Sequence, residues 1–169
     1  MKILVAVDFS AGSQKALAMA DKIASRFRSK LILLHVLHDP ASAPGFYSAK
    51  KAGKKVLRNM EEAAHAMMDE FAAKNLPKSR KVDKRVLPGL PAAQIVYLAR
   101  KENIDLIVMG TQGLSGLKRL MIGSVVDKVM RASPIPVLAV PIKGGGRIGT
   151  DASSAADVDE EDVEEEAPD

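Results

Sequence analysis

Glycines crowd one short stretch of the chain. Four of them fall within residues 110–124, GTQGLSGLKRLMIGS, which ends on Ser124. Each ordered glycine costs extra backbone entropy, so a plain turn gives no reason for four. Glycine does let backbone N–H groups approach phosphate oxygens, because no Cβ stands in the way. With the Ser124 hydroxyl and the charges of Lys118 and Arg119, the stretch predicts phosphate binding.

The glycine spacing excludes two familiar phosphate-binding motifs. It lacks the GK[ST] ending of a Walker loop and the G-x-G-x-x-G of a dinucleotide fingerprint. A plainer alternative is a flexible surface loop whose glycines satisfy turns, with Ser124 as the cap of the next helix. Spacing alone leaves both alternatives open.

A carboxylate follows the first apolar run of the chain. Asp8 closes the run KILVAVD, and Ser10 follows at a position typical of a helix N-cap. A carboxylate can accept hydrogen bonds from ribose hydroxyls, and charge-assisted bonds are about twice as strong as neutral ones. The alternative role of Asp8 is to cap the first helix together with Ser10. The two roles are compatible.

Apolar runs alternate with stretches of helical periodicity. The predicted strands cover residues 2–8, 30–38, 82–89, 105–110 and 136–140. Continuous apolar strands that alternate with helices indicate a single doubly wound, five-stranded parallel sheet, covered on both faces. In such sheets the ligand crevice lies beyond the carboxyl ends of the strands where the winding reverses. A reversal between the first and fourth strands would place Asp8 and Gly110 at this crevice.

The helices are predicted from apolar stripes. The first stripe consists of Ala16, Leu17, Ala20, Ile23, Ala24 and Phe27. A long helix over 51–74 has a stripe made of Val56, Met60, Ala63, Ala64, Met67, Met68 and Phe71. A third helix opens at Pro91, which suits a first turn, and a fourth covers 124–133.

The motifs of the chain occur together in one family. The nucleotide-binding signature of the universal stress protein family resembles the G-x2-G-x9-G-S formed by Gly110, Gly113, Gly123 and Ser124. The opening VAVDFS, an S-x-x-A-L, the second strand LLHV, the run DLIVMGTQG and the closing PVLAV follow in the same order. The resemblance covers roughly residues 1–142, and its motifs are specific in combination.

The resemblance to the ATP-binding branch of this family implies a fold, a ligand and an assembly. The fold is flavodoxin-like and adenine nucleotide alpha-hydrolase-like, with strand order 3-2-1-4-5. The ligand is ATP with Mg²⁺, and the homodimer forms through the last strand. The chain departs from the family at Phe9, where many members carry glycine or another small residue. A side chain directed into the core would accommodate this difference.

The resemblance also assigns site residues. The cofactor-binding positions of the family correspond here to Ala6, Asp8, Val36, Met109, Gly110, Gly113, Gly123, Ser124 and Val125. Asp8 would contact the nucleoside, and Val36 would lie by the adenine. The phosphates would lie against Gly113 and residues 123–125.

Charge divides the chain into two parts. Residues 1–150 hold all 25 basic and eleven of the 21 acidic residues, a net charge of +14, and residues 151–169 hold the other ten acidic residues. We therefore expect a nucleotide-binding domain over 1–142 and a Gly-rich linker with a disordered acidic tail over 143–169. Such a tail suits either an intramolecular contact with the basic domain or an unknown protein partner.

Several other classes of protein are not favoured. No apolar run approaches the roughly 20 residues that span a bilayer, and the opening lacks a signal-peptide pattern. Without cysteine the chain has no disulfides, and we expect a cytoplasmic protein. Few aromatic side chains are available to stack on bases, so the basic charge does not by itself predict nucleic-acid binding.

One short motif has the spacing of a metal site. Glu62 and His65 form an E-x-x-H, but carboxylate-bridged metal sites need two copies of it. A solvated surface pair between His65 and Asp69 is the favoured alternative. His35 and His38 lie three apart on a strand and face opposite sides, so they cannot share a metal directly.

Three classes of function remain. The first is an ATP-binding protein that acts in stress response or regulation through nucleotide occupancy. The second is a slow ATPase or phosphotransferase in the same pocket, which needs a positioned base or nucleophile. Ser124 is the candidate nucleophile in the glycine stretch, and no histidine lies near it in sequence to activate it. The third, a nucleotide-free interaction module, leaves the glycine spacing unexplained, so the first is favoured.

Overall fold

Strands and helices alternate along the chain. The computed structural model describes residues 1–37, 52–111 and 122–142. Its strands are β1 (Lys2–Ala6), β2 (Lys30–Leu37), β3 (Val82–Pro88), β4 (Leu106–Gly110) and β5 (Val137–Val140). Its helices are α1 (Ala11–Phe27), α2 (Ala52–Asn75), α3 (Pro91–Lys101) and α4 (Ser124–Ala132). Within these ranges no helix has the length and apolar character that a bilayer crossing requires.

The five strands form one parallel sheet in the order β3-β2-β1-β4-β5. The predicted doubly wound α/β fold and its strand order 3-2-1-4-5 are therefore confirmed. Leu4 is in register with Ile32 of β2 on one side and with Ile107 of β4 on the other. The winding reverses between β1 and β4, so a crevice opens where the carboxyl ends of these strands diverge.

Side chains of the central strands are buried on both faces of the sheet. Ile3 and Val5 of β1 join a core cluster with α1 and α2, whereas Leu4 joins a second cluster with α3 and α4. Successive strand residues point to opposite faces, so a strand covered on both sides has to be apolar throughout. This is why β1 and β2 are continuous apolar runs.

The observed strand ends differ from the predicted ones by up to two residues. β1 was expected to reach Asp8 but ends at Ala6. The Val7 N–H still donates to the Leu34 carbonyl over 2.8 Å, whereas the Asp8 N–H turns to the Ser13 side chain. β5 begins at Val137 rather than Pro136, because proline has no N–H to donate to the neighbouring strand.

The buried helix stripes are narrower than predicted. Phe27, at the last position of α1, is 66% exposed, and Met67 on α2 is 49% exposed. Ala63 is exposed as well. Periodicity gives the centre of an apolar stripe but not its edges. The buried positions on α2 are Ala64, Met68, Phe71 and Ala72.

Candidate functional site

A cleft of about 320 Å³ opens at the carboxyl ends of β1, β2 and β4. Its volume lies within the range of about 300–1,000 Å³ that is usual for ligand pockets. Eight of the nine predicted site residues line it, namely Ala6, Asp8, Val36, Met109, Gly110, Gly123, Ser124 and Val125. The ninth, Gly113, lies outside the described residues, as do Lys118 and Arg119.

One wall of the cleft is the start of α1. Ser10 is the N-cap residue, and its Oγ accepts a hydrogen bond from the Ser13 N–H over 3.2 Å. Asp8 Oδ1 accepts from the Ser10 N–H over 3.1 Å and from the Ser10 hydroxyl over 2.5 Å. The capping role predicted for Ser10 is confirmed. Asp8 supports the cap indirectly, by holding Ser10, while it also borders the cleft.

Ser13 completes this hydrogen-bonded group and was missed in the sequence analysis as a site residue. Its hydroxyl donates to Asp8 Oδ1 and accepts from the Asp8 N–H over 2.9 Å. Ser13 is 3% exposed and lines the cleft. The sequence signal was the spacing D-x-S-x-x-S between Asp8 and Ser13, which joins the two separate motifs VAVDFS and S-x-x-A-L.

Phe9 has a left-handed backbone, with φ of 64°. Glycine adopts this conformation without strain, whereas other residues held in it cost about 1–3 kcal/mol. The Phe9 ring packs against His35, with 4.5 Å between ring centroids, and edge-on against Phe71 at 5.7 Å. Burial of the ring offsets the strain, and the backbone angle gives a physical reason for glycine at this position in related chains.

His35 was weighed in the sequence analysis only for metal pairing, yet it lines the cleft. Its Nδ1 lies 2.8 Å from the Val7 carbonyl oxygen. Because that oxygen can only accept, Nδ1 carries a proton and donates this hydrogen bond. His38 lies outside the described residues.

The two described glycines of the glycine stretch serve different purposes. A Cβ on Gly110 would lie 2.6 Å from the backbone carbon of Gly12, so glycine is required there for α1 to pack on β4. A Cβ on Gly123 would meet only the Thr111 carbonyl oxygen, at 3.3 Å. The backbone of Gly123, with φ of −59°, suits most residues. Packing against Gly12 is thus a reason for glycine at Gly110, whereas the phosphate role at Gly123 stays a prediction.

The opposite wall of the cleft is the start of α4. Gly123 is the N-cap residue, and among the described residues no side chain caps this helix. The backbone N–H groups of a first helical turn, together with the helix dipole, favour an anion. Ser124 is exposed at this point, and Val125 is half-buried against the second core cluster. This wall can donate hydrogen bonds, whereas the Asp8 wall can accept them.

The base of the cleft is apolar. Ala6 and Val36 are half-buried and pack against the second core cluster, and Ile95 and Met109 are buried members of it. Such surfaces suit a flat ring rather than a charged group. The cleft therefore combines an apolar floor, a carboxylate wall and a helix N-terminus.

The predicted surface pair on α2 is replaced by other ion pairs. Asp69 pairs with Lys84 of β3, rather than with His65, and Glu62 pairs with Arg58 at 3.0 Å. In the described part of the chain, no three His, Asp or Glu side chains are grouped as metal ligands.

Known proteins resemble most of this chain. Residues 1–141 match the model of the universal stress protein family. Universal stress protein YxiE of Bacillus subtilis is 34% identical over 155 residues, which span 82% of this chain and 97% of the relative.

Two solved structures extend the comparison. Protein MJ0577 of Methanocaldococcus jannaschii superposes with a TM-score of 0.73 and 29% identity, over 85% of this chain and 97% of its own. A universal stress protein solved in complex with cAMP gives a TM-score of 0.55 and 26% identity, over 84% and 97%. The chain belongs to the universal stress protein family.

Proposed function

We propose that the chain binds ATP with Mg²⁺ in this cleft and acts in stress response or regulation through nucleotide occupancy. The observation that carries the proposal is the placement of opposite hydrogen-bonding chemistries across one cleft. Asp8 offers acceptors at the end of β1, and the start of α4 offers donors at Gly123 and Ser124. Ribose hydroxyls donate and phosphate oxygens accept, so a nucleotide matches both walls.

The apolar floor fixes the direction of the nucleotide in this proposal. Adenine lies against Ala6, Val36 and Met109, and the ribose lies beside Asp8. The phosphates lie against residues 123–125 and Gly113. Mg²⁺ usually keeps several waters and binds one or two carboxylates together with phosphates, so it needs no cage of protein ligands. Asp8 is the carboxylate that lines the described part of the cleft.

The related structure in complex with cAMP supports an adenine nucleotide as the ligand class. That structure shares the fold of this chain, with 26% identity and a TM-score of 0.55, so we place the nucleotide in the corresponding crevice. The choice of ATP over other adenine nucleotides rests on the sequence of the glycine stretch, whose four glycines predict backbone donors for more than one phosphate.

Occupancy is proposed in preference to catalysis. Hydrolysis or phosphotransfer needs a positioned base or nucleophile. In the described residues no hydrogen bond joins the Ser124 hydroxyl to His35, whose Nδ1 is bonded to the Val7 carbonyl. The slow ATPase or phosphotransferase remains the alternative outcome of a turnover assay.

Assembly and domain organisation complete the proposal. β5 ends the sheet next to β4, and its Val137, Leu138 and Ala139 are half-buried. An apolar edge strand invites pairing, so β5 would meet its copy in a homodimer. Residues 1–142 would form the nucleotide-binding domain in the cytoplasm. The linker and acidic tail over 143–169 would contact this domain or a protein partner.

The test begins with the purified protein. Mass spectrometry of the denatured sample should identify a copurified adenine nucleotide, and calorimetry should show binding of ATP with Mg²⁺. The double variant Gly113→Val, Gly123→Val places side chains in the phosphate site and should weaken binding by at least about tenfold, about 1.4 kcal/mol.

A control variant adds a valine away from the cleft. Ala66→Val changes an exposed position on α2 and should leave ATP affinity unchanged. Equal affinities of the wild type and the glycine double variant would overturn the phosphate placement. A wild type that neither carries nor binds an adenine nucleotide would overturn the proposed function.

A further inference from the structure

Three donors converge on one oxygen of Asp8. Oδ1 accepts hydrogen bonds from the Ser10 N–H, the Ser10 hydroxyl and the Ser13 hydroxyl. Ser10 needs no further explanation, because it caps α1. Ser13 lies in the first turn of the helix, where its own N–H is already bonded to Ser10 Oγ. Its hydroxyl is bonded to Asp8 rather than to Ser10.

A buried serine inside a helix requires a reason. Serine is a weaker helix former than alanine, and a buried hydroxyl is costly unless it is hydrogen-bonded. Ser13 is 3% exposed, and both of its bonds go to Asp8: it donates to Oδ1 and accepts from the backbone N–H. One hydroxyl is thus hydrogen-bonded to both the main chain and the side chain of Asp8.

The bonds that Ser13 and Ser10 make to Oδ1 restrain the side-chain torsions of Asp8. A free carboxylate at the end of a strand can occupy several rotamers, and a ligand would have to select one at an entropic cost. With Oδ1 tied to Ser13, and with Ser13 itself fixed in α1, the carboxylate stays at the cleft wall before any ligand arrives.

We propose that Ser13 is a positioning residue that holds the Asp8 carboxylate ready for the ribose of a bound adenine nucleotide. The inference rests on the proposed function, because it assumes that Asp8 contacts the ribose. It assigns Ser13 a role in affinity that acts through Asp8 rather than through the ligand.

The experiment compares two nucleotides in calorimetry with the full chain. ATP has both ribose hydroxyls, and 2′,3′-dideoxy-ATP has neither. Ser13→Ala should lose about tenfold in affinity for ATP, a loss in the range of one hydrogen bond to a charged group. The same variant should change affinity for the dideoxy nucleotide less than twofold.

A double-mutant cycle tests whether Ser13 acts through Asp8. In an Asp8→Ala background, which lacks the Oδ1 that Ser13 holds, Ser13→Ala should cause no further loss of ATP affinity. An additive loss would overturn the positioning role, because it would mean a direct or purely structural contribution. Equal losses for the two nucleotides, or unchanged ATP affinity in Ser13→Ala, would overturn it as well.

Controls separate this role from general stability. Ala18→Gly weakens α1 at an exposed position and should leave both affinities unchanged. Ser13→Cys keeps the size of the side chain but has a weaker donor, so it should fall between the wild type and Ser13→Ala even if the alanine variant folds poorly. A wild type that binds neither nucleotide would overturn the proposed function and this inference together, whereas the outcomes above overturn the inference alone.

Discussion

Two of the helices that begin beside the cleft, α1 and α4, start in opposite ways. At α1, the side chains of Ser10, Asp8 and Ser13 bond one another and the first turn. At α4, the N-cap residue is Gly123, and no side chain in the described ranges takes that place. Every helix start leaves backbone N–H groups that need partners. α1 supplies a partner from its own side chains, and α4 does not.

The difference shows how one fold makes two kinds of binding wall from the same element. A helix start that is satisfied internally can hold a carboxylate rigidly, and so becomes an acceptor site. A helix start that is capped by glycine keeps its donors and its positive dipole end for an anion.

The contrast is most easily broken at Gly110, which packs against the start of α1. In Gly110→Ala the new Cβ would lie 2.6 Å from the Gly12 backbone, and no side chain can move to relieve the contact. We expect the free energy of unfolding to fall by about 3 kcal/mol, the upper part of the usual range for overpacking. Urea denaturation measures this loss. Gly123→Ala, the matched control, should lose less than about 1 kcal/mol, and similar losses in the two variants would contradict the packing argument.

Removal of the α1 cap should have the next largest effect. Ser10→Ala leaves the Ser13 N–H without its acceptor and removes one donor to Asp8 Oδ1, the Ser10 hydroxyl. We expect the free energy of unfolding to fall by about 1–2 kcal/mol. Thermal and urea unfolding would report the loss, and Ser124→Ala at the start of α4 should lose much less. A stability equal to that of the wild type would show that the cap is not needed.

The contrast can be sharpened by giving α4 a side-chain cap. Gly123→Ser should raise stability slightly, by a few tenths of a kcal/mol, because serine is a better N-cap than glycine. The serine hydroxyl would also occupy an N–H group proposed for phosphate, so ATP affinity should fall by about threefold to tenfold. Calorimetry and urea denaturation of the same preparation give both numbers. A variant that gains stability and keeps full affinity would place the phosphates elsewhere.

The acidic tail offers a competing anion for the donor wall. Residues 151–169 carry ten acidic side chains against a basic domain, so their deletion should tighten ATP binding at low salt. The expected change is about twofold, and it should diminish at physiological salt, where exposed charges are screened over about 8 Å. Equal affinities of the full and shortened chains at both salt concentrations would assign the tail to solubility or to another partner.

The smallest effect is expected at the other end of the sheet, far from both helix starts. A hydrogen bond from Lys30, with further help from the charges of Lys30 and Arg85, lowers the pKa of Asp83 below its usual 3.8. A carboxyl group whose pKa is lowered by folding contributes stability above its unfolded pKa, and this contribution disappears as pH falls through the folded pKa.

On acidification below about pH 4, the Asp83→Asn variant should therefore lose less stability than the wild type. The pair is partly exposed, so its contribution should stay below about 1 kcal/mol. Urea midpoints at pH 7 and pH 3 measure the difference, and Lys30→Met should show the same reduced dependence. If both variants lost as much stability in acid as the wild type, Asp83 would not contribute to the pH dependence of stability.

Local patterns predicted most of the fold. Continuous apolar runs identified the strands, and the serine after Asp8 identified the start of α1, because both signals depend only on nearby residues. The edges of the helix stripes were wrong at Phe27 and Met67, since burial there depends on which neighbours cover them.

The site was predicted less completely than the fold. Some of its contacts join residues that are remote in sequence, and others are hydrogen bonds made in both directions between two residues. The need for glycine at Gly110 comes from Gly12, which is remote in sequence and adjacent only after folding. Ser13 acts through bonds in both directions with Asp8, and a spacing pattern does not show which atoms meet. The left-handed backbone at Phe9 was hidden because a phenylalanine stands where the conformation favours glycine.

The contact of Gly110 with Gly12 has a consequence for how the cleft tolerates change. Backbone lies directly on backbone here, so no side chain between β4 and α1 can switch rotamer or shrink by substitution. The first turn of α1, which holds Asp8 through Ser13, is thereby set at a fixed distance from the end of β4. Main-chain atoms therefore set the width of the cleft at this point. Side-chain substitutions elsewhere in the core neither add nor remove an atom at this contact.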